Sequence, residues 1–258
     1  MFKNTVPLST DAHRHLKLQA SQPYQFAAGL MLCPVVSGEI CQVARDYVIV
    51  FPAESGGIPQ ALLGAEQGVN AYVADTGHWR CRYVPAHVRR YPFMAAERPA
   101  GTESPRQSFT VMIDLSAPQL NDAQGESLFT PDGKPSSMLD KVQKALISLQ
   151  QDFRTTADMV ASLEQLGLLV SRSIRVTLGD GREHALEGFR VIDTGKLAAL
   201  APEALADLNK NGALLLAYSH IISMANLKDG VIARQAGGLG PISGPGPDDP
   251  GESFGLNP

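Results

Sequence analysis

The chain has 258 residues and a formal net charge of −4 at pH 7, with 44% hydrophobic and 19% charged residues. That length allows one large or two small domains with a buried core, and so weak a net charge argues against a partner bound by field alone, nucleic acid or anionic membrane. The longest apolar stretch, FAAGLMLCPVV at residues 26–36, is about half a membrane span and is broken by Pro34, so no spanning helix is expected.

The opening MFKNTVPLSTDAHRHLKL lacks the apolar core of a secretory signal and reads as a mature start. Ser37 is placed to cap a short helix in SGEICQVARD, and DYVIVF at 46–51 is a β-rich apolar run. PQALLG and VNAYVAD follow, separated by the turn-forming AEQG. DTGH at 75–78 carries turn chemistry. The WRCRYV behind it alternates, so that a strand here puts Trp79, Cys81 and Tyr83 on one face and Arg80 and Arg82 on the other. SFTVMIDL at 108–115 is apolar almost throughout and predicts a buried strand.

The middle changes period. Behind a serine cap, Met138, Leu139, Val142, Ala145, Leu146, Leu149 and Phe153 recur at three- and four-residue steps, the mark of an amphipathic helix. TTADMVASLEQLG repeats the scheme and ends on Gly167, so two helices are expected here, as a hairpin or a kinked pair. SIRVTL, GDG and REHALEGFRVI predict a β-hairpin over 172–192. Two more helices close the fold, the first with Pro202 in its opening turn and Gly212 as the break between them.

From residue 237 the composition turns to glycine and proline, which bury too little apolar surface to offset the entropy of ordering; 237–258 is expected to be a disordered tail. Its GxG fragments follow no strand and open no helix, so they are no phosphate loop. The expected architecture is a single α+β domain over 1–236. A mainly antiparallel sheet would be packed by the helices of 137–167 and 202–235.

Few residues suggest catalysis. There is no GxSxG elbow, and Ser219 and His220 are neighbours on a helix, where adjacent side chains diverge. Cys33, Cys41 and Cys81 are odd in number and form no CxxC pair, as suits a reduced, cytoplasmic protein whose thiols are small hydrophobes; no cofactor is implied. In an extended segment His13 and His15 share a face with Asp11 in phase, a start on a two-histidine, one-carboxylate metal site whose remaining ligand is unidentified. The competing account is an exposed basic strand.

The densest chemistry lies between His78 and Arg98, where Arg80, Arg82, Arg89, Arg90 and Arg98 face one acid, Glu97. Arginine forks read carboxylates and phosphates bidentately and stack on aromatic rings, which Tyr83, Tyr91 and Phe93 could supply. The alternative is a basic turn in which Arg89 and Arg90 pair with acids at the core edge.

The blocks MFKNTVPLS, HRHLKL, ARDYVIVFP, ALLGAEQGVNAYVADTGHWRCRYVPAHVRRYPF and EGFRVIDTGKLAALAPEALADLNKNGALLLAYSHIISMANL resemble the SapC-like family. They run from residue 1 to about 230. The YSHIISM block departs from the family's usual Tyr-Ala-His only by Ser219. The resemblance implies a cytoplasmic accessory protein named after surface-layer export loci, with relatives encoded beside outer-membrane receptors, cupin-like oxygenases and halogenase-like flavoproteins. It brings no catalytic residues, and the permease label carried by some relatives conflicts with the lack of a spanning run. The leading expectation is a non-enzymatic protein that holds an anionic peptide or protein partner through Arg89, Arg90, Tyr91, Phe93, Arg80, Arg82, Tyr218 and His220. Nucleic acid is not expected, and a homo-oligomer through the apolar last helix stays open. The alternative is a metal-dependent, oxygenase-like or other modifying enzyme that uses His13, His15 or His220.

Overall fold

The computed structural model describes residues 1–19, 23–97, 109–177, 181, 183–236 and 239–243. In chain order these form β1 (Thr5–Pro7), α1 (Thr10–His13), β2 (Lys17–Leu18), β3 (Leu32–Pro34), α2 (Ile40–Val43), β4 (Val48–Pro52), β5 (Gln60–Leu62) and α3 (Ala86–Arg89). Then come β6 (Phe93–Glu97), β7 (Phe109–Asp114), β8 (Leu120–Asn121), β9 (Glu126–Ser127), α4 (Ser137–Gln165), β10 (Leu169–Thr177) and β11 (Glu183–Ile192). The chain closes with α5 (Thr194–Ala198), α6 (Pro202–Asn211), α7 (Ala213–Ser223), α8 (Asn226–Asp229), α9 (Val231–Ala236) and β12 (Leu239–Ser243). The class is α+β, as expected. Three sheets run in the orders β12-β10-β11-β4-β5-β3, β1-β7-β6 and β8-β2-β9, with antiparallel pairing throughout. No helix among the described residues is long and apolar enough to cross a membrane.

Two apolar clusters hold the molecule. The larger joins Ile49 and Phe51 of β4, Ile174 of β10 and Val191 of β11 to Leu216 of α7 and Val160 and Leu163 of α4. The smaller packs Phe93 of β6 and Ile113 of β7 under Leu139 and Leu146 of α4. One 29-residue helix therefore serves both clusters, where the sequence predicts two helices. The polar Thr155-Thr156 step does not interrupt it. Thr156 is buried, but its hydroxyl donates to the Asp152 carbonyl at 2.6 Å and accepts the Ser37 N–H at 2.8 Å, so burial leaves it satisfied. Gly167, with φ +63°, stops the helix as expected.

Other expectations need correction. WRCRYV is no strand: only a single bridge joins Val73 to Trp79. The exposure still alternates, because the aromatic side chains anchor the segment in place of a ladder. Trp79 Nε1 donates to the Tyr47 hydroxyl at 2.7 Å, and that hydroxyl donates to the Tyr83 carbonyl. Ser37 lies inside a 3₁₀ turn, Ser37–Glu39, and caps nothing. In β7 only Ile113 and Asp114 are fully buried. Leu239–Ser243, assigned by composition to the tail, pairs with β10 at the sheet edge. Its Pro241 falls where the register shifts, between the partners of Ile174 and Val176, so its missing N–H breaks no ladder bond. The other tail residues, and Arg98 and Ser108, lie outside the described ones.

Candidate binding cleft

The strongest site begins at the 3₁₀ turn Ser37–Glu39. The turn sits hard against α4: a Cβ on Gly38 would lie 2.7 Å from Asp152 Oδ2, so glycine permits the approach. This docking sends Glu39 inward, where it is 3% exposed. Its Oε2 accepts the Ala86 N–H at 2.7 Å and the Tyr83 hydroxyl at 2.9 Å. Glu39 thus caps α3 from another element, because Pro85, the residue before the helix, has no side-chain oxygen to do so. Burial raises the Glu39 carboxyl above its ordinary range, only partly offset by these two bonds, and Oε1 has no hydrogen-bond partner.

Helix α3 carries the two arginines. Arg89 is exposed and held, its Nε donating to the Val84 carbonyl at 2.8 Å and its Nη2 to the Tyr83 hydroxyl at 2.9 Å, with the guanidinium 5.2 Å from the Tyr83 ring centroid. Arg90 is different. It lies half-buried against the Phe2 ring, 5.4 Å from its centroid, and its buried Nε has no hydrogen-bond partner. Burial lowers its affinity for the proton. Neither guanidinium forms a salt bridge with a carboxylate among the described residues. On the same helix His87 has an unpartnered Nδ1 and is pushed down to about 3 by burial, with Arg90 and the N-terminal amine adding to the effect.

These arginines form one wall of a cleft of about 330 Å³ between α3 and α4. Tyr91 and Phe93 line it with them, Leu146 and Leu149 of α4 make it apolar, and Asp152 closes the α4 side. The Asp152 carboxylate is half-buried and takes no hydrogen bond or ion pair from a described residue; burial raises its carboxyl. Phe93 and Tyr91 are otherwise core residues, and the Tyr91 hydroxyl donates to Asp114 at 3.3 Å.

The other sequence candidates lie elsewhere. Arg80 and Arg82 are exposed and do not line the cleft. Tyr218 is 49% exposed on α7 beside Leu215 and Ile222. His220 faces inward from the same helix, fully buried, with both ring nitrogens engaged by backbone: Nδ1 to the Ile49 carbonyl at 2.7 Å, and Nε2 to the Ile192 N–H at 3.2 Å. The segment holding His13 is helical rather than extended, so His13 and His15 do not share the face expected of them. Buried His13 takes the Ser9 N–H on Nδ1, while exposed His15 lies 3.7 Å from Asp122. No group of three or more His, Cys, Asp or Glu residues among the described ones could hold a metal. Cys33 is buried and its thiol pushed up by burial, Cys81 is pushed up to about 11 for the same reason, and Cys41 is exposed.

Sequence reasoning missed Glu39 and Asp152. Asp152 had a signal: it is in phase with Val142, Ala145 and Leu149, an acid on an otherwise apolar helix stripe. Glu39 had none, because its role depends on a contact with residues more than forty positions away.

Fold and cleft together define an α+β protein of antiparallel sheets with an arginine-walled pocket. A family model described as SapC matches residues 8–229, and the chain belongs to the SapC family. Comparison with curated proteins and with solved structures found no match.

Proposed function

We propose that this SapC-family chain is a non-enzymatic, cytoplasmic accessory protein of surface-protein export or outer-membrane receptor systems, and that it holds an anionic group of a peptide or protein partner in the α3–α4 cleft. Arg90 makes the principal contact and Arg89 the outer one. The observation that carries this is the Arg90 guanidinium, half-buried at the cleft wall with an unpartnered Nε. Leaving a buried donor unpaired costs about 1–3 kcal/mol, more for a charged group, and a bound carboxylate would remove that cost. Arg89 is fixed by Tyr83 and Val84, so a ligand meets a fork already in position.

Acidic peptides titrated onto the protein test this, with Arg89→Ala and Arg90→Ala run in parallel. Arg90→Ala is expected to weaken binding at least about tenfold while the melting temperature changes little, because the cost of burying a guanidinium whose Nε is unpaired offsets its contact with the Phe2 ring. Loss of binding together with a large fall in melting temperature would return the arginine to a structural role. Unchanged binding in both variants would remove the proposal.

A further inference from the structure

Arg90 and Asp152 present opposite charges to one cavity, and the structure does not pair them. The buried Arg90 Nε is left unpaired at a cost to the empty protein, the Asp152 carboxylate is half-buried without a protein partner, and each is free to meet a ligand group. Between them the walls are apolar, from Leu18, Phe93, Val142, Leu146 and Leu149. From this juxtaposition we infer that the cleft recognises a zwitterion: a carboxylate at Arg90, an ammonium at Asp152, and an apolar body between them. The volume, about 330 Å³, is at the small end of ligand sites, which suits an apolar amino acid or a short peptide with both ends free.

This rests on the arginine proposal above and sharpens it in a way that reverses the sign of one measurement. Asp152 repels a ligand that is only anionic, so Asp152→Asn would tighten such a ligand. The same change weakens a zwitterion by removing the negative charge that pairs with its ammonium. The variant is expected to fold, because the Asp152 carboxylate bonds to no described residue and asparagine has nearly the same shape.

Leucyl-leucine with free ends, its N-acetyl form and its C-terminal amide serve as probes by titration calorimetry, with thermal melts confirming that each variant folds. The free dipeptide is expected to bind the native protein at least about tenfold more tightly than either capped form. Asp152→Asn should bind the free and N-acetyl forms alike, and Arg90→Ala should lose most of the preference for the free over the amide form, Arg89 keeping the remainder. If the N-acetyl form binds as well as the free one and tightens with Asp152→Asn, the zwitterion falls while the arginine proposal stands. If none of the three binds the native protein at millimolar concentration, the inference is overturned, and the acidic-peptide titration decides the arginine proposal separately.

Discussion

Replacing His220 tests whether the YSHIIS block serves structure. Strands β11 and β4 pair only at Phe189 with Pro52 and Arg190 with Phe51. Continued two residues further, that register would bring Ile192 opposite Ile49. The imidazole stands there instead, accepting the Ile192 N–H on Nε2 and donating from Nδ1 to the Ile49 carbonyl, while Ser223 Oγ accepts the Ile49 N–H at 3.0 Å. One turn of α7 thus replaces a missing rung. Burial holds the ring at about 4, against an ordinary 6.5, so it is neutral. The unfolded chain takes up the proton first. The stability His220 contributes is therefore complete above about pH 6.5 and declines as the pH falls toward 4. Between about pH 7.5 and pH 4.5 the loss is about 2–3 kcal/mol. His220→Gln keeps one donor and one acceptor but cannot titrate, so urea unfolding followed by circular dichroism should show a pH loss smaller by about that amount. His87, also pushed down, contributes equally to both proteins and cancels. His220→Ala, which leaves two buried peptide groups unpaired and a cavity, should cost about 4 kcal/mol or more. Equal pH losses in the native and Gln proteins, or an Ala cost below about 1 kcal/mol, would refute the argument.

Two further predictions concern residues outside the cleft. Asp114 is fully buried; burial alone would raise its carboxyl, but the hydroxyl and N–H of Ser116 and the N–H groups of Lys3 and Asn4 outweigh it and hold the group down at about 2. Asp114→Ala should cost about 3 kcal/mol and raise hydrogen exchange at Lys3 and Asn4, releasing Phe2 from Arg90; the Asp114 contribution is present above about pH 4 and lost as the pH falls toward 2. Gly212 joins α6 to α7 at φ +84°, and a Cβ there would lie 2.6 Å from Met159 Cε, so Gly212→Ala should lower stability by about 1–2 kcal/mol in the same unfolding assay.

What the sequence discloses here follows periodicity. The 172–192 hairpin, the apolar stripe of α4, Pro202 at the start of α6 and the break at Gly212 are local patterns, and the structure has them all. WRCRYV shows the limit: its alternation predicts correctly which side chains turn inward, but Tyr47 and Trp79, rather than strand partners, hold it. The split placed in α4 and the disorder assigned to 239–243 fail for a shared reason. Thr156 and Pro241 are unfavourable judged alone and acceptable beside the partner or the register shift that receives them. The cleft was half legible. Arg89 and Arg90 are conspicuous in sequence, whereas Glu39 and Asp152 belong to the site only because the Ser37–Glu39 turn docks on α4.

The distribution of unsatisfied groups singles out the same place without reference to any motif. Folded proteins leave few buried polar atoms unpaired, since each costs stability. Among the described residues four such side-chain atoms occur, and three belong to Glu39, His87 and Arg90. A turn needed only for structure would accumulate substitutions that remove that cost, as buried ion pairs elsewhere are replaced by apolar residues with a gain in stability. Here the unpaired groups lie on and beside α3, and one of them, Arg90, walls a cleft whose α4 side carries an unpaired acid. Chance defects would be scattered through two hydrophobic clusters and a dozen strands. Their concentration around α3 is what a site prepared for a polar ligand requires, because donors and acceptors satisfied within the protein would have to be released before they could bind anything else.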